Sequence, residues 1–259
     1  MLIPLVRKLE TFAKMTAEDR RTLEEVTDDI REFRPRQDII GEDERPDHVH
    51  LMLKDWAARY KILPGGERPI LGYLIPGDLC DVHVTLLDAM DHSITTLSAC
   101  TIAFIGRDRI DAILSENGTL ARALWWSTLV DEAILREWLV TVGHRPADKR
   151  LAYFICEMLL RMRAAGLADG NSFDLPVTQE EIDDTMGLST VHVNRTLQEL
   201  RAQGLVASKG RRMTVNDLER LCAFADFNPN YLHQQNQQTS QRREGRHKTG
   251  TTMQAGSCP

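Results

Sequence analysis

The chain has 259 residues, 42% of them hydrophobic and 27% charged, an ordinary globular composition with room for two small cores. A formal charge of −6 excludes a protein that coats nucleic acid indiscriminately, and leaves open a specific binder whose basic charge sits on one face. No apolar run approaches the roughly 20 residues of a membrane span, and the opening MLIPLVRKLETF is charged too early for a secretory signal, so a cytoplasmic protein without membrane contact is expected.

In chain order, residues 1–28 read as helical, with Thr16 capping a helix that ends near Val26 and Glu18 and Asp19 in its first turn, where the helix dipole favours acids. From 30 to 105 the pattern changes to short strands between turns. Ala58, Tyr60 and Ile62 alternate with Arg59 and Lys61, Gly65–Gly66 marks a hairpin turn, and residues 70–75 form a buried-strand candidate ending at Pro76, Gly77 and Asp78. Ile94, Leu97, Ile102, Phe104 and Ile105 suggest two more strands. Such spacing predicts a β-roll or barrel. A short helix follows over 109–115, broken at Asn117–Gly118.

The spacing predicts a long helix over 119–142. Its apolar residues, among them Trp125, Leu129, Leu135, Trp138 and Leu139, leave only a narrow wet stripe, so it needs cover on more than one side: the β-unit on one and a partner subunit on another. Pro146 marks a junction, and a further helix spans 151–163. After Asn228 the chain turns rich in Gln, Arg, Gly and Thr without apolar periodicity, which predicts a disordered tail over 228–259.

The segment 175–215 carries the functional signal. Thr178 and Glu181 form a capping box before a short helix with Ile182 and Met186 inward. Gly187 permits a tight turn, Ser189 caps the next helix, and that helix buries Val193, Leu197 and Leu200 before Gly204 ends it. Residues 206–215, bending at Lys209–Gly210, form a hairpin. A short helix, a glycine turn, a longer helix and a basic hairpin make a winged helix-turn-helix. Between Ser189 and Arg212 there are five basic side chains and one acidic, so an acidic protein presents a basic edge. Lys209, Arg211 and Arg212 suit phosphates, and Thr178 and Ser189 are counted with them among the DNA-binding residues. Thr190, Val191, His192, Asn194 and Arg195 sit where base edges are read: Arg donates twice to guanine, Asn reads adenine, and Val touches a thymine methyl.

With these residues the chain resembles the Crp/Fnr family of bacterial regulators, over roughly residues 5–227. The stretches TQEEIDDTMGLSTVHVNRTLQELRAQGLV and LIPGDLCD are the most specific. The resemblance implies an α+β fold: an N-terminal β-roll shaped like a cyclic-nucleotide-binding domain over 1–118, a dimerisation helix over 119–143, and a winged helix-turn-helix over 144–227. It also implies a homodimer on palindromic double-stranded DNA, with RNA polymerase as a partner. Family members carry Glu-x-x-(Ser or Gly)-Arg on the recognition helix; here Arg195 is kept, while Val191 and Asn194 replace the other two. Asp183 stands where a small residue is common at the helix crossing.

The nucleotide-binding members use a Gly-Glu turn and a downstream Arg-Ser or Arg-Thr. Here Cys80–Asp81 and His92–Ser93 stand in those places, so cAMP is not expected to bind. Residues 1–79 hold no cysteine, so the family's iron–sulfur cluster is absent. The five cysteines (Cys80, Cys100, Cys156, Cys222, Cys258) form no CxxC pair, and reduced, buried thiols are expected. Cys80, Asp81, His83, His92 and Ser93 are the candidate sensor pocket. Ordinary turn residues are the first reading of that group; a metal ion or haem is the alternative. No nucleophile elbow, phosphate-binding loop or zinc-hydrolase motif occurs, so no enzyme is expected. Arg195 and the basic wing argue against a sensory module whose helix-turn-helix has lost DNA.

Overall fold

The computed structural model describes residues 2–80, 82 and 86–234. Two short helices open the chain, α1 (Ile3–Glu10) and α2 (Ala17–Val26), the second started by a reciprocal capping box between Thr16 and Asp19. Eight antiparallel strands follow: β1 (Asp29–Phe33), β2 (Asp38–Ile40), β3 (His48–Lys54), β4 (Ala57–Tyr60), β5 (Ile70–Leu74), β6 (Leu79–Cys80), β7 (Ser93–Thr96) and β8 (Cys100–Gly106). They form two four-stranded sheets, in the orders β1-β8-β3-β6 and β2-β7-β4-β5. Val49, Leu51, Ala57, Leu74, Ile94 and Ile102 meet between them in a core shared with α1 and α2. Ile62 departs from the alternation expected for β4: that strand ends at Tyr60, and Ile62 is exposed in the following loop.

Gly77 shows why the turn after β5 needs glycine. Its φ is +88°, and a Cβ there would stand 2.7 Å from the backbone carbon of Pro4. The turn therefore packs directly on the start of α1.

The helix α3 (Arg107–Glu116) leads into α4 (Gly118–His144), whose cap Asn117 accepts from Leu120 N at 3.0 Å and donates to Asp19 at 2.8 Å. The N-terminal half of α4 buries Leu120, Ala123 and Leu124 in the β-roll core. Its C-terminal half buries Ala133, Ile134 and Trp138 in a second core. Then come α5 (Ala147–Ala164), β9 (Ser172–Asp174), α6 (Gln179–Met186), α7 (Thr190–Ala202), β10 (Val206–Lys209), β11 (Arg212–Val215) and α8 (Leu218–Ala225). The wing has a third strand, β9, paired to β11 through Phe173 and Met213. It is too short to show a period of its own.

Contrary to the expectation of disorder from residue 228, Pro229–Leu232 forms a 3₁₀ turn that buries Tyr231 and Leu232. Three apolar or aromatic residues among polar ones have no helical period, yet Tyr231 stacks with Tyr153 and meets Phe227 edge-on. Residues 235–259 lie outside the described residues.

The second core is not confined to the C-terminal unit. Trp56 and Tyr73 of the β-roll join Trp138 of α4 and Phe154 of α5 in one aromatic cluster, with ring centroids 5.3–6.4 Å apart. Beside it runs a buried polar joint. Arg161 of α5 donates to the Tyr73 carbonyl at 2.8 Å and to Asp78 Oδ2 at 2.9 Å. Asp78 also takes the Ile75 amide at 2.7 Å and pairs with Lys8 of α1. On its other side Arg161 meets Glu157, 3.4 Å away. Glu157, itself fully buried, accepts from Trp138 Nε1 at 3.1 Å and Tyr231 Oη at 2.7 Å. Burial alone would raise the pKa of Asp78, but Lys8 and Arg161 hold it below the usual carboxylate range; burial raises that of Glu157 despite Arg161.

Removing the shared cation takes the guanidinium away from the buried Glu157 and leaves Lys8 as the cation beside the buried Asp78. Arg161→Ala is expected to destabilise the protein by about 3–5 kcal/mol, read as a lowered urea midpoint with the far-ultraviolet spectrum unchanged before the transition. A loss under about 1 kcal/mol would mean that the pair is solvated.

Candidate nucleic-acid interface

The helix-turn-helix is built from local signals that the backbone satisfies one by one. The Thr178 hydroxyl accepts from Glu181 N at 3.1 Å, and the Glu181 carboxylate accepts from Thr178 N at 2.7 Å. Ile182 and Met186 face inward, and Gly187 ends α6 in the left-handed region at φ +60°. Arg150 of α5 donates to the Met186 carbonyl at 2.8 Å, so the end of α6 is capped from outside the motif. Ser189 starts α7 by accepting from His192 N. Val193, Thr196, Leu197 and Leu200 are buried, at spacings of three, one and three. That stripe fixes which side of α7 faces out.

Asp183 finds its reason here. It accepts from the Thr190 hydroxyl at 2.9 Å, closing the turn between α6 and α7. Thr190 and Arg195 are exposed, and Val191 is 81% exposed. Arg195 lies 3.3 Å from His192 Nε2 and 3.7 Å from Glu199, two contacts that hold the guanidinium along the outer face of α7. Asn194 differs from the expectation. It is half-buried and donates to Gln179 Oε1 at 3.1 Å across the helix crossing. Its position beside the buried stripe turns it toward α6, so it clamps the two helices together.

The wing places Lys209 at its exposed bend. Arg211 reaches Asp55, in the β3–β4 turn of the β-roll, at 2.6 Å, and Ser98 also bonds to that carboxylate. Arg212 meets Asp169 and Asp174 at 3.3 and 3.5 Å. Sequence reasoning missed Gln179 and Asp55. Gln179 carried a weak signal, as the first helical residue after Thr178. Asp55 carried none, being 156 positions from its partner.

On the β-roll, Cys80 is buried in β6, opposite His50. His92 Nδ1 lies 2.6 Å from Asp91 Oδ1, and Ser93 Oγ accepts from Glu42 N at 2.9 Å. Asp81 and His83 lie outside the described residues. His92 lines a cleft of about 350 Å³ between β-roll and α4, with Arg59, Leu79, Ser127, Thr128 and Asp131. The Arg59 guanidinium is 3.4 Å from Asp131. Among the described residues no group of three His, Cys, Asp or Glu side chains is arranged to hold a metal ion. No helix among them is long and apolar enough to cross a membrane.

Residues 30–117 match the family described as "Cyclic nucleotide-binding domain", and residues 149–224 match "Crp-like helix-turn-helix domain". The chain belongs to the Crp/Fnr family. Among curated relatives it is 27% identical to the transcriptional activator protein FnrL of Cereibacter sphaeroides over 221 residues, covering 83% of this chain and 88% of that one. It is 24% identical to the transcriptional activator protein Anr of Pseudomonas protegens over 216 residues, covering 82% and 86%. Among solved structures, FixK2 of Bradyrhizobium japonicum superposes with a TM-score of 0.67 at 25% identity, over 75% of this chain and 95% of that one. The protein is thus a transcription regulator of the Crp/Fnr type, with a cyclic-nucleotide-binding-like β-domain followed by a DNA-binding helix-turn-helix.

Thr178 is the hinge of the capping box, whatever else it touches. Thr178→Ala is expected to cost about 1 kcal/mol of stability, while Thr178→Ser keeps most of it. Thermal unfolding of the two variants checks this; equal melting temperatures would remove the capping role.

Proposed function

We propose that this Crp/Fnr regulator is a cytoplasmic homodimer that reads an inverted repeat in double-stranded DNA through α7 of each subunit and acts on transcription with RNA polymerase as a partner. One observation carries the reading: α7 buries one stripe, is capped at Ser189, and holds Arg195 on the opposite, exposed face beside a basic wing. Arg195 is the base reader, donating to a guanine in the major groove, with Thr190, Val191 and His192 around it. Ser189, Thr178, Lys209, Arg211 and Arg212 contact phosphates and set the salt dependence. Asn194 contributes by holding α6 against α7. In the free protein Arg211 and Arg212 engage carboxylates, so DNA phosphates compete with Asp55, Asp169 and Asp174 for them.

The dimer is supported by α4. Trp125 is 62% and Leu139 76% exposed in the single subunit, with Leu129, Leu135, Val140 and Val142 beside them. Apolar exposure on that scale along one helix marks an interface.

For the β-roll we infer an effector other than a cyclic nucleotide, or none. A phosphodiester in the cleft would meet Asp131, Glu132 and Asp91, and the Arg59 cation there is already engaged by Asp131. Cys80, Asp81, His83, His92 and Ser93 remain the proposed sensor residues. The protein's task in this reading is binding and regulation, with no catalytic step.

Two outcomes test the reading. Arg195→Ala is expected to lose roughly 5- to 150-fold in preference for the specific site, leaving weak, salt-sensitive binding; unchanged selectivity in a gel-shift competition rejects the role. Leu139→Ala removes two buried leucines per dimer, about 3–6 kcal/mol, so sedimentation should show dimer dissociation strengthened more than about a hundredfold. A variant that stays dimeric at the wild-type concentration would place the interface elsewhere.

A further inference from the structure

Cys156 on α5 and Cys222 on α8 lie with their sulfurs 3.8 Å apart, although they are 66 positions apart in the chain. The two thiols are unlike. Cys156 is fully buried in the second core, while Cys222 is half-buried at its edge. They sit outside the recognition surface, and nothing in DNA binding uses them. We propose that Cys156 and Cys222 are a reversible redox pair, a modification site inside the DNA-binding unit that takes a peroxide as its oxidant.

The geometry assigns the roles. Cys222 is the sulfur an oxidant in solvent can reach, and Cys156 stands behind it as the resolving thiol. The charge environment agrees: the hydrogen bond shared with Cys156 lowers the pKa of Cys222 against the opposing effect of burial, and Arg163 nearby adds to the lowering. The same hydrogen bond, with burial, pushes the Cys156 thiol up. A thiolate is the nucleophile in such chemistry. The Cys222 thiolate attacks one peroxide oxygen, the O–O bond breaks, and hydroxide leaves to take a proton, giving a sulfenic acid and water. Cys156 sulfur then attacks the Cys222 sulfur. An S–S bond forms, the S–O bond breaks, and the departing hydroxide takes the Cys156 proton as a second water. Two thiols have lost two electrons, and hydrogen peroxide has become two waters. Small side-chain rotations close the remaining distance between the sulfurs.

The bond would tie the helix before the helix-turn-helix to the helix after the wing, enclosing both in one covalent ring. Cys100, by contrast, is buried, and burial raises its thiol to about 11.

The test uses the reduced full-length protein, treated with hydrogen peroxide, blocked with iodoacetamide and digested without reductant. Mass spectrometry should find the Cys156 peptide joined to the Cys222 peptide, two hydrogen masses below their sum, and dithiothreitol should separate them. The joined species should vanish in Cys222→Ser. In Cys156→Ala, which keeps that core position apolar, dimedone should trap Cys222 as the sulfenic acid. Peroxide-treated protein in which both thiols alkylate as in the untreated sample overturns the proposal. So does Cys222 joined to Cys258 or to a second chain instead of Cys156.

Discussion

The arrangement of this molecule rests on the Arg161 guanidinium. It is a buried cation on the helix that carries the DNA-binding unit, and its partners, the Tyr73 carbonyl and Asp78, belong to the β-roll. A buried charge is tolerated only where fixed partners replace water. Planar donors on Arg161 meet those acceptors in one geometry, and Lys8 and Glu157 complete the charge balance. Hydrophobic contact between α5 and the β-roll could be made at several angles. The polar joint selects one of them, because any other leaves a desolvated acid or cation unsatisfied.

That constraint extends to the recognition surface. Glu157 ties the same helix to Trp138 of α4 and to Tyr231 beyond α8. Tyr73, at the centre of the aromatic cluster, bonds through its hydroxyl to the Glu181 carbonyl and Thr185 of α6. The β-roll, α4 and α6 thus share a few residues, and the outward face of α7 is held in a set orientation to α4. If α4 lies along the dimer axis, two copies of Arg195 stand at a set separation. Acidic side chains of the same chain occupy Arg211 and Arg212, so in the proposed complex DNA phosphates would displace carboxylates that already hold them.

Much of this was legible in the sequence wherever the signal was local. The capping box at Thr178 and Glu181, Gly187 in the left-handed region and the buried stripe from Val193 to Leu200 are all written within a few residues of one another. The extent of α4 likewise follows from periodicity, as do the segments of β4, β5, β7 and β8, whereas β1, β2, β3 and β6 are not separately marked. What could not be read depends on distance along the chain. Glu157 and Arg161 look like ordinary polar positions of an amphipathic helix until Asp78 and Tyr231 are brought to them. Asp55 has no local reason to face the wing. Asn194 reads as a base contact by its place on α7, and only the crossing angle of α6 shows that Gln179 takes it. Tyr231 and Leu232 lack a period, and their partners are contributed by α5, so their order was invisible in the tail's composition.

The spacing of bound half-sites tests the central claim most directly. Genomic fragments selected by the purified full-length protein and sequenced should yield an inverted repeat with one dominant centre-to-centre spacing, about one helical turn or 10–10.5 base pairs, because the joint at Arg161 allows one orientation of α7. A broad spread of spacings would show that the DNA-binding units move independently of the β-roll, and a bound set with no symmetric motif would contradict the dimeric reading itself.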